Sequence, residues 1–287
     1  MVPDWETNTV LISDVLPTQH PEIVRRLETI LQEHGISLAT VPGTSDIWIR
    51  DAAPVQVNEQ DFVQFIYLPD YLQNGHEHLI TGPESFCNLP FIKRLETSEL
   101  VIDGGNIVGC AGAAILTEKM FRENPERNEH EIEDELRRLL RVEHLIVIPR
   151  EPYDQIGHSD GMVRFITETT VIVNDYAATN PKFGDKLSTA LRRRGLKIEL
   201  LPYKPEGRKY DGIESAVGNY ANFLRVGNLI VMPSYGKSTD TVATAQLQRL
   251  CPEATVTSVP CRKLARKGGV LQCVTWTVQV VESRLCG

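Results

Sequence analysis

The chain has 287 residues, 41% of them hydrophobic, which is enough to bury a sizeable core in one large domain or two small ones. Its formal net charge of −8 argues against a general nucleic-acid surface, since phosphate binding needs a basic field. No run approaches the roughly 18–20 apolar residues of a membrane span, and residues 1–9 lack the basic and apolar regions of a secretion signal. A cytoplasmic protein with no membrane partner is expected.

Residues 10–13 are the first strand candidate. Residues 20–35 then put Ile23, Leu27 and Leu31 on one helical face and stop at Gly35, after which 36–41 read as a strand ended by Pro42. A strand at 62–68 is followed by a weaker copy of the same phrase, a short helix at 91–97 and a strand at 99–102. The third copy has a strand at 113–117, an amphipathic helix at 128–141 built on Ile132, Leu136 and Leu140, and a strand at 144–148. The fourth has a strand at 170–174, a helix at 186–194 with Leu187 and Leu191, and a strand at 197–201. The fifth has a strand at 228–232, a helix at 239–250 and a strand at 254–259.

Recurrence of one strand-helix-strand phrase about every 45 to 65 residues predicts an α/β repeat architecture. Five such modules around an axis close on themselves and leave few edge strands to protect. The expected fold is therefore a five-bladed α/β arrangement with pseudo-fivefold symmetry, with residues 1–287 forming a single catalytic domain. A doubly wound sheet is the competing architecture. It is weakened because the first module lacks a glycine-rich strand-to-helix turn and because Gly43, Gly104 with Gly105, Gly157, and Gly268 with Gly269 come after the second strand of a module.

Those same positions carry unusual polar residues. After the first module comes Asp46-Ile47-Trp48-Ile49-Arg50-Asp51, and after the second Asp103-Gly104-Gly105-Asn106. After the third comes Gly157-His158-Ser159-Asp160-Gly161, after the fourth Asn219-Tyr220-Ala221-Asn222-Phe223, and after the fifth Gly268-Gly269-Val270-Leu271-Gln272-Cys273. Modules related by rotation would bring all five to one pocket. His158 and Asp160, two apart, would share a face if their segment is extended. Asp51 and Arg50, adjacent in a strand, would point apart and do different work.

The six cysteines, Cys87, Cys110, Cys251, Cys261, Cys273 and Cys286, show no CxxC pair and read as free thiols. A cysteine in an apolar stretch is ordinarily core. Cys273 differs because a glycine pair precedes it and the polar segments converge on it, giving a reactive thiol the room it needs. His76 and His78 are assigned to a loop over the pocket. An Asp/His set of His158, Asp160, Asp51 and Asp103 offers metal ligands, but no HExxH motif or cysteine pair supports that reading. Cys273, His158 and Asn222 would also suit a papain-like hydrolase. The number of carboxylates weighs against amide hydrolysis, because a negative field opposes both a thiolate and an oxyanion. A planar cation rich in N–H donors is matched by paired carboxylates.

Taken in order, Trp48-Ile49-Arg50-Asp51 with Pro54, Asp103-Gly104-Gly105-Asn106, Gly157-His158-Ser159-Asp160-Gly161, Tyr220-Ala221-Asn222-Phe223 and Gly268-Gly269-Val270-Leu271-Gln272-Cys273 resemble the agmatine deiminase and bacterial-type peptidylarginine deiminase family of the guanidine-modifying (pentein) superfamily. The resemblance runs from about residue 40 to 280 and includes Ile115-Leu116-Thr117, Val231-Met232-Pro233 and 236–240. It implies a five-bladed α/β propeller that hydrolyses guanidinium to ureido groups with release of ammonia, with no cofactor and no metal. It implies Cys273 as nucleophile, His158 as acid and base, and Asp51 and Asp160 as guanidinium-binding carboxylates. Asn222, Asp103 and Trp48 are further expected substrate contacts. Agmatine, converted to N-carbamoylputrescine, is the leading substrate, with free arginine or an arginyl peptide as alternatives; a homo-oligomer is left open. The chain departs from the agmatine deiminases in having Asp103 before Gly104-Gly105 where they commonly have Glu. It also has Lys267-Gly268-Gly269-Val270-Leu271-Gln272 where they commonly have Gly-Gly-Gly-Asn-Ile-His.

Overall fold

The computed structural model describes residues 1–73 and 75–281. Among these, five three-stranded sheets repeat one pattern: a first strand runs antiparallel to a middle strand, which runs parallel to a third. The middle strands are Thr9–Ser13, Asp61–Ile66, Ala113–Thr117, Thr170–Asn174 and Leu229–Ser234, and nearly all their residues are buried. Burial on both faces explains their continuous apolar runs. The third strands Ser37–Val41, Lys197–Leu201 and Thr255–Pro260 carry exposed and half-buried polar residues, as an edge strand must. The first sheet is completed from the far end of the chain: Trp276–Val278 pairs antiparallel with Thr9–Ser13.

Parallel neighbours need a crossover of a dozen or more residues, and in four sheets a helix supplies it. Pro21–Glu33, Glu129–Leu140, Pro181–Arg192 and Ser238–Leu250 do so, as their periodicity predicts. Asn128 and Asn180 cap two of them, accepting from the amides of Glu131 and Phe183 at 2.9 and 3.2 Å. Each helix turns an apolar stripe to its sheet, Ile23, Leu27 and Leu31 in the first case.

The second sheet departs from expectation. No helix forms at 91–97; Arg94–Val101 is the strand that pairs with Asp61–Ile66. Its crossover instead passes through short 3-10 turns at Asp70–Leu72, Glu77–Leu79 and Pro83–Ser85. Pro69, Gly75, Gly82, Pro83 and Pro90 interrupt any helical run there, which makes turns the available solution. The chain so freed forms a wall of the cavity described below. A small hairpin of Lys209–Tyr210 and Ile213–Glu214 stands outside the five sheets. Among the described residues no helix is long and apolar enough to cross a membrane.

Candidate active site

Every link from the third strand of one sheet to the first strand of the next carries one of the polar motifs. Trp48 and Asp51 lie at and within the short helix Ile49–Ala52, Asp103 immediately precedes the turn Gly104–Asn106, and His158 immediately precedes the turn Ser159–Gly161, which contains Asp160. The last two links bring Asn222 and Cys273. A cavity of about 840 Å³ is lined by Trp48, Asp51, His158, Asp160, Asn222 and Cys273 together. His76 also lines it, whereas His78 does not.

Two local expectations are corrected. His158 and Asp160 do not share an extended segment; His158 is extended, Asp160 lies within the 3-10 turn that follows it, and both side chains line the cavity. Asp51 and Arg50 diverge because they lie on a helical turn rather than a strand. Arg50 turns away and donates from Nε to the Thr275 carbonyl at 3.1 Å and from Nη2 to Thr277 Oγ1 at 3.3 Å.

Cys273 Sγ lies 3.4 Å from Asn222 Oδ1 and 3.8 Å from Asp160 Oδ2. Asn222 Oδ1 also accepts from the Val270 amide at 3.2 Å, so one side chain ties the fourth link to the fifth. Burial, then the carboxylates of Asp160 and Asp51, push the Cys273 thiol well above its ordinary value. The sulfur is therefore a thiol at neutral pH, and at 9% exposure it is reachable only through the cavity. Asp160 is itself raised by burial, against the pull of the cations His158, Arg164 and Arg50.

His158 is 4% exposed and stands between two carboxylates. Its Nε2 is 2.8 Å from Asp103 Oδ2 and its Nδ1 is 3.5 Å from Asp51 Oδ1. Burial draws its pKa down, but Asp51 and Asp103 outweigh that and raise it to about 9, so the ring is an imidazolium. Asp51, which accepts from the Gly105 amide at 3.1 Å, is raised by burial to about 7 despite His158. A Cβ on Gly105 would sit 2.6 Å from His158 Nδ1 and closer still to Asp51 Oδ1, and one on Gly269 would sit 2.7 Å from Trp48 Cζ3. The second glycine of each pair is thus required by close approach of cavity-lining side chains.

Asp103, expected as a substrate contact, does not line the cavity; fully buried, it lies on the far side of His158. It is shared there with Lys119, a residue that sequence reasoning missed. Lys119 lies on the short helix Lys119–Glu123 and is 1% exposed, paired to both Asp103 and Glu123. From sequence, a Lys and a Glu four apart on a polar helix read as a solvated pair, so nothing signalled their burial. Burial pushes Asp103 up, but the hydrogen bond to His158 and the Lys119 charge outweigh it and hold the carboxyl below its ordinary value. Tyr71, on the turn Asp70–Leu72 of the second sheet's crossover, covers this group with its ring edge-on to His158 at 6.2 Å.

Cys110, Cys251 and Cys261 are buried free thiols and Cys87 an exposed one; Cys286 lies outside the described residues. Among the described residues no group of three or more His, Cys, Asp or Glu side chains is arranged to hold a metal ion.

The profile of the Porphyromonas-type peptidyl-arginine deiminase family matches residues 5–278. A provisionally named agmatine deiminase of Shewanella baltica is 30% identical over 86% of this chain and 77% of its own length. The agmatine deiminase of Pseudomonas fluorescens is 28% identical over 81% of this chain and 74% of its own. Among solved structures, the agmatine deiminase of C. jejuni superposes with a TM-score of 0.78 at 18% identity, covering 98% of this chain and 96% of that one, a likeness of fold. The chain belongs to the Porphyromonas-type peptidyl-arginine deiminase family, and so to the guanidine-modifying hydrolases of the pentein superfamily.

Proposed function

We propose that this protein is a cysteine-dependent deiminase that converts the guanidinium of a small substrate, agmatine in the first instance, to a ureido group with release of ammonia. One observation carries the reading: a thiol, an imidazolium and two carboxylates, drawn from three separate links, line one cavity. Asp51 and Asp160 hold the guanidinium by charge-assisted hydrogen bonds, and Trp48 and Asn222 flank it. The arriving cation offsets the carboxylates whose field keeps Cys273 protonated, so the thiol proton leaves to solvent and the thiolate attacks the guanidinium carbon. The neutral tetrahedral adduct takes a proton from His158 on one nitrogen, the C–N bond breaks, and ammonia departs from a cationic amidino-thioether. His158, now neutral, takes a proton from water as the hydroxide adds to the same carbon. The C–S bond then breaks, returning the thiolate and, after loss of a proton, the ureido product.

We further propose that the five sheets surround a common axis as a closed five-bladed propeller with pseudo-fivefold symmetry, forming a single catalytic domain. The identical pairing in each sheet and the completion of the first sheet by Trp276–Val278 support this. An arginyl peptide is the second substrate reading, favoured by a cavity much larger than agmatine and by Arg266 and Lys267 in its lining, which suit a carboxylate.

Quenching the enzyme during turnover and mapping its peptides by mass spectrometry should find the amidino group on Cys273. Turnover with the adduct on another cysteine would overturn the assignment. A panel of agmatine, arginine and C-terminal arginyl peptides, scored by ammonia release, decides between the substrates.

A further inference from the structure

Behind His158, away from the cavity, buried groups of alternating charge stand in a row: Glu123, Lys119, Asp103 and His158. Lys119 Nζ is 2.7 Å from Glu123 Oε1, and its other partner is Asp103 Oδ2, the same oxygen that meets His158 Nε2 at 2.8 Å. The Tyr71 ring covers the ammonium, its centroid 5.2 Å away. Stability alone does not call for ions here. An apolar side chain of similar length would fill the volume without the desolvation penalty, and replacing buried ion pairs that way is often neutral.

We propose that Lys119, clamped by Glu123, is a positioning residue for His158: by sharing Asp103 Oδ2 with the imidazole it orients that carboxylate and limits how tightly it holds the imidazolium proton. The inference rests on the acid-base role given to His158 above. The charged groups facing His158 are Asp51 from the helical turn Ile49–Ala52, Asp103 before the turn Gly104–Asn106, Asp160 on its own turn, and Lys119, with the Cys273 thiol across the cavity and Tyr71 at the ring edge. Lys119 is the cation set against Asp103, as Arg164 and Arg50 are against Asp160, and Glu123 in turn weakens Lys119. A proton held by unopposed anions would not pass to the departing amine.

Titrating the His158 ring by nitrogen NMR in histidine-labelled protein tests this, with the signal identified by its loss in His158→Asn. Lys119→Met should raise the midpoint by about one pH unit, and Glu123→Gln should lower it by several tenths. The basic limb of kcat/KM should follow each. Opposite movements from neighbouring residues are not what a loss of packing produces. If Lys119→Met does not fold, the nearly isosteric Glu123→Gln decides alone. An unmoved or raised midpoint in Glu123→Gln, or an unmoved or lowered one in Lys119→Met, overturns the coupling whatever the rates. Midpoints that move as expected while the rate limb stays fixed uphold the coupling and overturn the acid-base role of His158.

Discussion

Glu151, half-buried in the cavity lining, and Asp103, fully buried behind His158, are carboxylates whose proton affinities have moved in opposite directions. Burial pushes Glu151 up to about 7, because its hydrogen-bond donors are two neutral phenols, Tyr176 Oη at 2.8 Å and Tyr203 Oη at 2.9 Å. Asp103 is more deeply buried, yet its donors are the His158 imidazolium and the Lys119 ammonium, and it stays below its ordinary value. Burial penalises both anions; the charge of the donor decides the outcome, since charge-assisted bonds are roughly twice as strong as neutral ones. Asp103 is a fixed anion on which a proton-transfer group can rest, whereas Glu151 takes up a proton near neutrality.

The sharpest way to break this contrast is to remove the charge from Asp103. Asp103→Asn keeps the shape but leaves His158 without its closest anion and Lys119 with Glu123 alone. We expect kcat for ammonia release to fall by about 10²–10⁴, the usual range for a disabled proton-transfer group. We also expect the His158 midpoint to drop from about 9. A kcat within tenfold of the parent would mean that the buried row is scaffolding only.

The pH profile sharpens the same contrast without mutation. In the proposed mechanism guanidinium binding needs Asp51 ionised, and burial raises that group to about 7. Proton delivery in that mechanism needs His158 charged, and its carboxylate neighbours raise it to about 9. The kcat/KM profile should therefore rise about tenfold per pH unit up to about 7 and fall at the same slope above about 9, the two values belonging to the coupled pair. A profile centred near pH 6 would contradict the charge assignment.

The repeat was legible because each helix keeps its apolar stripe and each middle strand its apolar run, as Ile132, Leu136 and Leu140 show for Glu129–Leu140. The lining residues Asp51, His158, Asp160, Asn222 and Cys273 were legible as unusual polar types recurring at equivalent points of that repeat. Depth was not. Sequence spacing could not tell that Asp103 lies behind His158 or that Lys119 is buried, because both facts depend on the packing of Lys119–Glu123 against a different module. The segment at 91–97 was misread because its few apolar residues fit either period, and pairing with Asp61–Ile66 decided for a strand.

The smallest expected effect concerns Glu151 and is read in stability. A carboxyl whose pKa is raised in the folded state binds its proton more tightly there than in the unfolded chain. Its folded form is therefore unpenalised below the unfolded value near 4.5 and loses stability as pH rises toward about 7. Glu151→Gln keeps an acceptor for one tyrosine, offers the other phenol oxygen an N–H donor in place of an acceptor, and removes the titration. The variant should match the parent near pH 4.5 and exceed it by about 1–3 kcal/mol at pH 8, a gain of a few degrees in Tm. Equal melting temperatures at pH 8 would show that the tyrosine donors already offset the burial of the anion, and the contrast with Asp103 would then be one of degree.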